Sequence, residues 1–507
     1  MESITETLWD VVIYGTGLQE SFLALSLSRS GKKVLHLDPN DYYGGPDASL
    51  SLQEAEGWTE KHSSLEPNPS FGSASVTKSP ETSGLSFSRA YSLALSPQII
   101  HGRSTLLSQL VSSRAYRQLE FLAVGSFFVF KTSSKPSQAP SLTRIPSTRE
   151  DVFSATAIPA RSKRSLMKFL KFVLDYEGTQ QRETWQPFAE KPLAELLRSQ
   201  FGLDAELQMF VHTLTLSLCK SITAKEGLAI IHKHLTSMGM FGPGFAAVYP
   251  KWGGISEIAQ VACRAGAVGG AVYKLGTRLN EVHHTQGSDK LQLDLSTEPE
   301  GDVRVETQLL VKGSEHTDGG KNSKRTSRLV VVVDSSLRSL FEPLVEGAPA
   351  PAVAVIAFLA GSSDPEHTLD SPIYAFTHSS ETGECPTGQS VLYFTTLTEN
   401  TTEQARARLE AAVSSFLAAV DETKKPQCLY RFYYEYLSGS GGIGNESDGK
   451  VLTLPGSAPG LAFDDSTLEP VHEAWKVVMG SAADDPETEY MIFPDREGAE
   501  ECDDDYE

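Results

Sequence analysis

Gly15, Gly17 and Asp38 are the residues whose types and spacing point most directly to ligand chemistry; they lie in the stretch VVIYGTGLQESFLALSLSRSGKKVLHLDP, residues 11 to 39. In a dinucleotide site the first two glycines let the backbone approach a pyrophosphate, which rests on the positive N-terminus of the next helix. An acid at the end of the second strand contacts a ribose hydroxyl. Asp38 fits that role, and it fits equally the role of an acid that caps its own loop. Where the third glycine would let helix and strand pack closely, this chain has Glu20. A carboxylate about 5 Å from a phosphate costs about 3 kcal/mol at an effective dielectric near 20, which removes roughly a hundredfold of affinity. The same carboxylate satisfies the helix dipole that phosphate would have used. The turn therefore keeps a nucleotide-binding scaffold and disfavours the nucleotide. A second candidate turn, APGLAFDDSTLEPVHEAWKVVMG, sets Asp464 and Asp465 ahead of a helix where a flavoprotein would receive its phosphate again. Two acidic turns predict that the chain takes no flavin and no other cofactor.

The remaining chemistry-bearing residues are sparse. The pairs His232/His234 and His283/His284 lack further ligands at useful spacing, so no metal site is expected. Cys219, Cys263, Cys385, Cys428 and Cys502 are scattered singly, which fits neither a disulfide framework nor a zinc knuckle. A net charge of −21 argues against nucleic acid or anionic lipid as a direct partner. Apolar runs such as VAVIAFLAG fall short of the roughly 20 residues of a membrane helix. The first residues, MESITETLWD, carry acids where a secretory signal would be basic, and a cytoplasmic protein is expected.

The elements that position these residues follow from periodicity. Asp10 to Tyr14 is a buried strand, Leu18, Phe22 and Leu25 recur at helical spacing, and Ser30-Gly31 closes the helix. Residues 58 to 88 turn to Ser, Pro, Thr and Gly, a composition of an insertion or loop. From about 104 to 240 the pattern is mostly helical; Leu166, Phe169, Leu170, Val173 and Leu174 share one stripe. Strand-like segments return after Tyr249, interrupted by the polar run 312 to 327, and the chain ends in EECDDDYE. That acidic end reads as a solvated tail, or as a device that steers basic partner segments.

With GTGLQE, VLHLDPNDYYGG and YPKWGGISEIAQVACRAGAVGGAVYKLG, the chain resembles the family of Rab escort proteins and Rab GDP-dissociation inhibitors. LALSPQIIHGRSTLLSQLVSSRAYRQLEFLAVGSFFVF and IPSTREDVF are similar to further family segments, so the resemblance spans nearly the whole chain apart from 58 to 88, 312 to 327 and the tail. It implies an α/β, mixed α+β fold: a flavoprotein-like dinucleotide-binding architecture without flavin, with several sheets and a helical insert. Residues 1–110 with 241–480 would form the Rab-binding body, 111–240 the helical domain, and 481–507 a disordered acidic tail.

The resemblance also implies roles. Tyr43, Gly44, Glu257, Gln260 and Arg264 match a platform for the switch regions of a GDP-bound Rab GTPase, with Ser256 as the expected N-cap of their helix. Lys274 stands where the inhibitors often have methionine. Phe169, Val173, Met209, Phe210, Met238 and Met240 are candidates to line or gate a groove for the geranylgeranyl chain. The partners implied are GDP-bound Rab and the α and β subunits of Rab geranylgeranyltransferase, the chain being non-catalytic and only transiently at membranes. The length and YPKWGGISEIAQ favour an escort protein; a recycling inhibitor and, remotely, a flavin-dependent oxidoreductase are the alternatives.

Overall fold

A computed structural model describes residues 4–493 except 65–69, 80–83, 133–139, 147–151, 153–157, 285–289, 298–300, 315–323, 344–346, 360–370, 423, 439–443, 447–448, 457–459 and 486–487. The chain opens with strand β1 (Leu8–Tyr14), helix α1 (Leu18–Arg29) and strand β2 (Val34–Leu37). Gly31 ends this helix at φ 78°, the left-handed turn expected there. β1 and β2 are parallel, and strand Val272–Lys274 extends the sheet on the β2 side. On the other side β1 runs parallel to the long strand Gly301–Gly313. The far edge of that strand pairs first with the antiparallel hairpin 277–297 and then with the parallel strand Val451–Leu454.

Helices α2 (Leu52–Lys61) and α3 (Thr105–Ser112) lead toward a second, largely antiparallel sheet. Its order runs from Phe71–Lys78 through Cys428–Ser438, Lys324–Val333, Ser390–Leu397, Ile373–Ser379, Val353–Phe358 and Phe121–Lys131 to Ala247–Pro250 and Ile100–His101. One face carries a helical layer of α4 (Ala160–Leu174), α5 (Thr179–Trp185), α6 (Leu193–Phe201), α7 (Ala205–Leu214) and α8 (Ala224–Ser237), which shares a continuous core with the sheet. Back on the first sheet, α9 (Ile255–Val268) packs against α1. Helix α10 (Thr402–Ala419) covers the other face of the second sheet, and α11 (Glu469–Met479) completes the layer over α1.

Sequence and structure differ in three places. Residues 58 to 88 contain an ordered edge strand, Phe71–Lys78, and Trp58 packs its ring 5.0 Å from Phe71 and 5.6 Å from Tyr434. Its ladder partner, Cys428–Ser438, lies some 360 residues away. The composition of a Ser-rich segment does not reveal such a partner. A helix starts at Thr105 as expected, but the helical pattern is interrupted and resumes only at Ala160, because FLAVGSFFVFK forms a strand covered on both faces. A continuous apolar run of that kind reads as helix or strand alike. The acidic tail also begins later than its composition suggests. Met491 and Phe493 are buried, and Tyr490 stacks on His472 with ring centres 4.5 Å apart. Residues 494–507, with Cys502, lie outside the described residues.

Candidate functional site

Three acids gather where a phosphate would approach α1. Glu20 is buried, and its Oε2 stands 2.7 Å from the point a Cβ on Gly17 would occupy. The carboxylate thus folds back over the second glycine of the turn. Asp47 and Asp464, with Leu18, Ile255 and Phe463, line a cavity of only about 10 Å³ there. Ligand pockets need roughly 300–1,000 Å³. A flavin pyrophosphate fits neither the space nor the charge. Asp465, expected beside Asp464, turns away from this crevice. Its carboxylate accepts from Ser104 Oγ at 2.5 Å and the Thr105 N–H at 3.1 Å, and pairs with Lys233 at 2.7 Å. It ties α3 and α8 to the C-terminal turn.

Asp38 acts as a structural clasp. It is buried, and Thr16 Oγ1 donates to its Oδ2 at 2.6 Å while the Asn40 amide N–H donates to Oδ1 at 2.8 Å. The Gly44 N–H donates in turn to Thr16 Oγ1 at 3.1 Å, which locks the turn 38–44 onto the glycine turn. Of the two roles open to Asp38, loop capping is the one its contacts serve. His36 donates from Nε2 to the Gly15 carbonyl at 2.5 Å. Burial pushes His36 down to about 4, so this ring is a neutral crosslink.

The residues expected to form the platform lie beside that clasp. A Cβ on Gly44, whose φ is 101°, would lie 3.0 Å from Ala48 Cα and 3.2 Å from Ser256 Oγ, so the Tyr43-Gly44 turn abuts the first turn of α9. Tyr43 is half-buried, its ring 6.5 Å from that of Tyr273. Glu257, Gln260 and Arg264 follow one face of α9 at helical spacing. Arg264 is 57% exposed and donates to Glu257 Oε1 at 2.7 Å. Burial pushes the Glu257 carboxyl up more strongly than Arg264 pulls it down. Ser256 is not the N-cap. Gly254 holds that position at φ 69°, and the buried Ser256 hydroxyl instead accepts from Gln260 Nε2 at 3.2 Å. Lys274 lies on the neighbouring strand Val272–Lys274, partly exposed.

Sequence reasoning missed the turn that delivers α9. Trp252, Gly253 and Gly254 all have positive φ, at 71°, 123° and 69°. Trp252 is 53% exposed, Lys251 Nζ sits 5.0 Å from its ring centre, and its N–H donates to Thr382 O at 2.8 Å. Beside it opens a polar cavity of about 550 Å³, walled by Arg89, Tyr91, Glu381 and Cys385. Beneath lies the buried Glu384, which accepts from Tyr249 at 2.7 Å, Tyr393 at 2.9 Å and His378 Nδ1 at 2.7 Å. The available signal was KWGG itself, an aromatic between a cation and two glycines.

The six groove candidates divide. Phe169, Val173 and Phe210 belong to the interior of the helical layer, and Met209 packs against it. Met238 caps the end of α8, and Met240 just beyond is exposed. His232 packs on Tyr176, and His234 sits between His101 and Phe127, its basicity lowered to about 4 by burial. Among the described residues, only Glu281, His283 and Asp294 converge closely enough to hold a metal ion. Asp294 is already held by Arg304 at 2.5 and 2.9 Å, so the cluster is satisfied as an ion-pair network.

Comparison with known proteins places this geometry. A family described as GDP dissociation inhibitor matches residues 5–343. The Rab proteins geranylgeranyltransferase component A of Saccharomyces cerevisiae is 32% identical over 81% of the chain, and that of Candida albicans 30% over 80%. The chain spans only 64% and 61% of the length of these two relatives. Among solved structures, the Rab GDI of Plasmodium falciparum superposes with a TM-score of 0.67 at 18% identity, covering 93% of this chain and 98% of its own. An oxidoreductase from Methanosarcina mazei gives 0.55 at 12% identity, with 92% and 99% covered. The same architecture therefore serves both an inhibitor and an oxidoreductase.

Proposed function

The chain belongs to the GDP dissociation inhibitor family, and from that premise we propose that it is a Rab escort protein. It binds newly made GDP-bound Rab, presents the C-terminal cysteines to the αβ geranylgeranyltransferase, and carries the prenylated product through the cytosol to membranes. Its own part is binding; the transfer chemistry belongs to the partner enzyme.

The reading rests on one observation: a phosphate crevice closed by its own acids beside an exposed, pre-aligned polar face on α9. Tyr43 and Gly44 present the turn, while Glu257, Gln260 and Arg264 present the helix face that receives the switch regions of GDP-bound Rab. Because Glu257 and Arg264 already pair with one another, docking exchanges that pair for contacts to Rab with little side-chain ordering left to perform. The extent of likeness to the yeast component A proteins supports escort over inhibitor: within Saccharomyces cerevisiae it runs over 81% of the chain for component A, against 57% for the Rab GDP-dissociation inhibitor. For the lipid, the helical layer is the receiver; Phe169, Val173, Met209 and Phe210 move aside to line it, and Met238 and Met240 gate its end.

Reconstitution tests this directly. With transferase, unprenylated Rab and lipid donor present, addition of the chain is expected to stimulate transfer. No stimulation, together with extraction of prenylated Rab from membranes, would assign the chain to the inhibitors.

A further inference from the structure

One buried carboxylate stands between the two halves of the platform. Glu384 is fully buried and follows Thr382 and Gly383, which hold Trp252. The Trp252 N–H donates to the Thr382 carbonyl at 2.8 Å, and any side chain on Gly383 would run into the Trp252 ring. Glu384 Oε1 accepts from the Tyr249 hydroxyl at 2.7 Å. That hydroxyl lies against Gly254, the N-cap of α9, 2.7 Å from the point a Cβ there would occupy. Oε1 therefore reaches the start of α9 through a single side chain.

The other oxygen faces the other half. Oε2 accepts from Tyr393 at 2.9 Å and from His378 Nδ1 at 2.7 Å. The Tyr393 hydroxyl accepts from the Ala94 N–H at 3.1 Å, and the Glu384 carbonyl accepts from the Ser92 N–H at 3.2 Å. Ala94 pairs with Ser49 in a two-residue ladder that follows closely on the turn of Tyr43 and Gly44. The hydroxyls of Ser92 and Ser49 close the circuit by donating to the Trp252 and Gly253 carbonyls at 3.0 and 2.8 Å. Burial, and then the Glu384 charge, push both tyrosine hydroxyls well above the ordinary 10.0, so both keep the protons they donate. A buried carboxylate held from three sides cannot turn without leaving a donor unpaired, which is costly.

We propose that Glu384 is a positioning residue that fixes the start of α9 against the Tyr43-Gly44 turn, and so tunes Rab affinity without touching Rab. The meaning of the platform rests on the escort reading above; the placement of the turn 250–254 rests on the network alone. Trp252 reports that placement, being 53% exposed while Trp9, Trp58, Trp185 and Trp475 are 9% exposed or less. The full chain is labelled with fluorotryptophan and followed by fluorine NMR, the Trp252 resonance being assigned by its loss in Trp252→Phe. Glu384→Gln keeps the size of the side chain but cannot accept from all three donors. It is expected to shift the Trp252 resonance and to leave those of Trp185 and Trp475 in place. In the same samples, binding of unprenylated GDP-bound Rab is expected to weaken about tenfold, the size of one strong interface contact misplaced. Tyr249→Phe removes the Oε1 donor alone; should the Gln variant fail to fold, it is expected to give the same shift and a similar loss.

A role in stability alone would leave the Trp252 resonance and the affinity of the folded chain where they are, and that result would overturn the proposal. A shifted Trp252 with unchanged Rab affinity would overturn the tuning. Failure of the unsubstituted chain to bind Rab would sink the escort reading, while the Trp252 resonance still decides the placement.

Discussion

In the proposed function, Arg264 is the residue on which recognition turns. It is exposed and paired with Glu257 on α9, the helix whose first turn meets the Tyr43-Gly44 turn. Arg264→Ala is expected to weaken binding of GDP-bound Rab by about 1–3 kcal/mol, the cost of losing a strong interface contact, with the folded state intact by circular dichroism. Asp465 makes a prediction about pH. Burial pushes its carboxyl up, but Lys233, Ser104 and the Thr105 amide outweigh burial and hold it below the ordinary 3.8. A depressed carboxyl stabilises the fold fully above its unfolded value, and that stability is lost as pH falls through the folded value. The destabilisation caused by Lys233→Met, measured by urea unfolding, is therefore expected to be greatest near neutral pH and to shrink below about pH 4. At this scale the sequence was legible where chemistry is local: Glu20 in a glycine turn announced the closed crevice. Asp465 was not legible, because Ser104 and Lys233 lie 361 and 232 residues away.

The turn 250–254 is the element that sets the start of α9 and so, in the proposed function, aims the platform. Gly253 has φ 123°, and a Cβ there would collide with the Ser49 side chain. Gly253→Ala is expected to cost about 1–3 kcal/mol of backbone strain and to lower Rab affinity as well, since the start of α9 shifts with the turn. Helix α8 is fixed at its start by a capping box, with the Thr223 side chain accepting the Glu226 N–H and Glu226 returning to the Thr223 N–H. Thr223→Ala should lower stability by about 0.5–2 kcal/mol, read from denaturant midpoints, without moving Rab affinity. Periodicity exposed the stripe of α4, set by one buried face, while apolar continuity exposed β1, and the spacing of Leu18, Phe22 and Leu25 exposed α1, both buried on all sides. It failed for Phe71–Lys78 and Phe121–Lys131 for opposite reasons. The first is too polar to announce a strand without its distant partner, and the second is too uniformly apolar to choose between helix and strand.

For the whole molecule, the account is of a nucleotide-binding architecture turned to protein recognition. Its two sheets and helical layer form the frame, the crevice at α1 is reduced to about 10 Å³, and the working surface proposed is the polar face of α9 that carries the exposed Arg264. Fold class and family were legible because the glycine turn, the YYGG turn and the YPKWGGISEIAQ helix each leave a local signature. The Glu384 network was not, since it joins segments as far apart as Ala94, Tyr249 and Tyr393. The measurement that tests the central claim most directly is a calorimetric titration of the purified chain with unprenylated, GDP-loaded Rab. The account predicts saturable binding that Arg264→Ala weakens. A chain that ignores unprenylated Rab and takes up flavin stoichiometrically would contradict it.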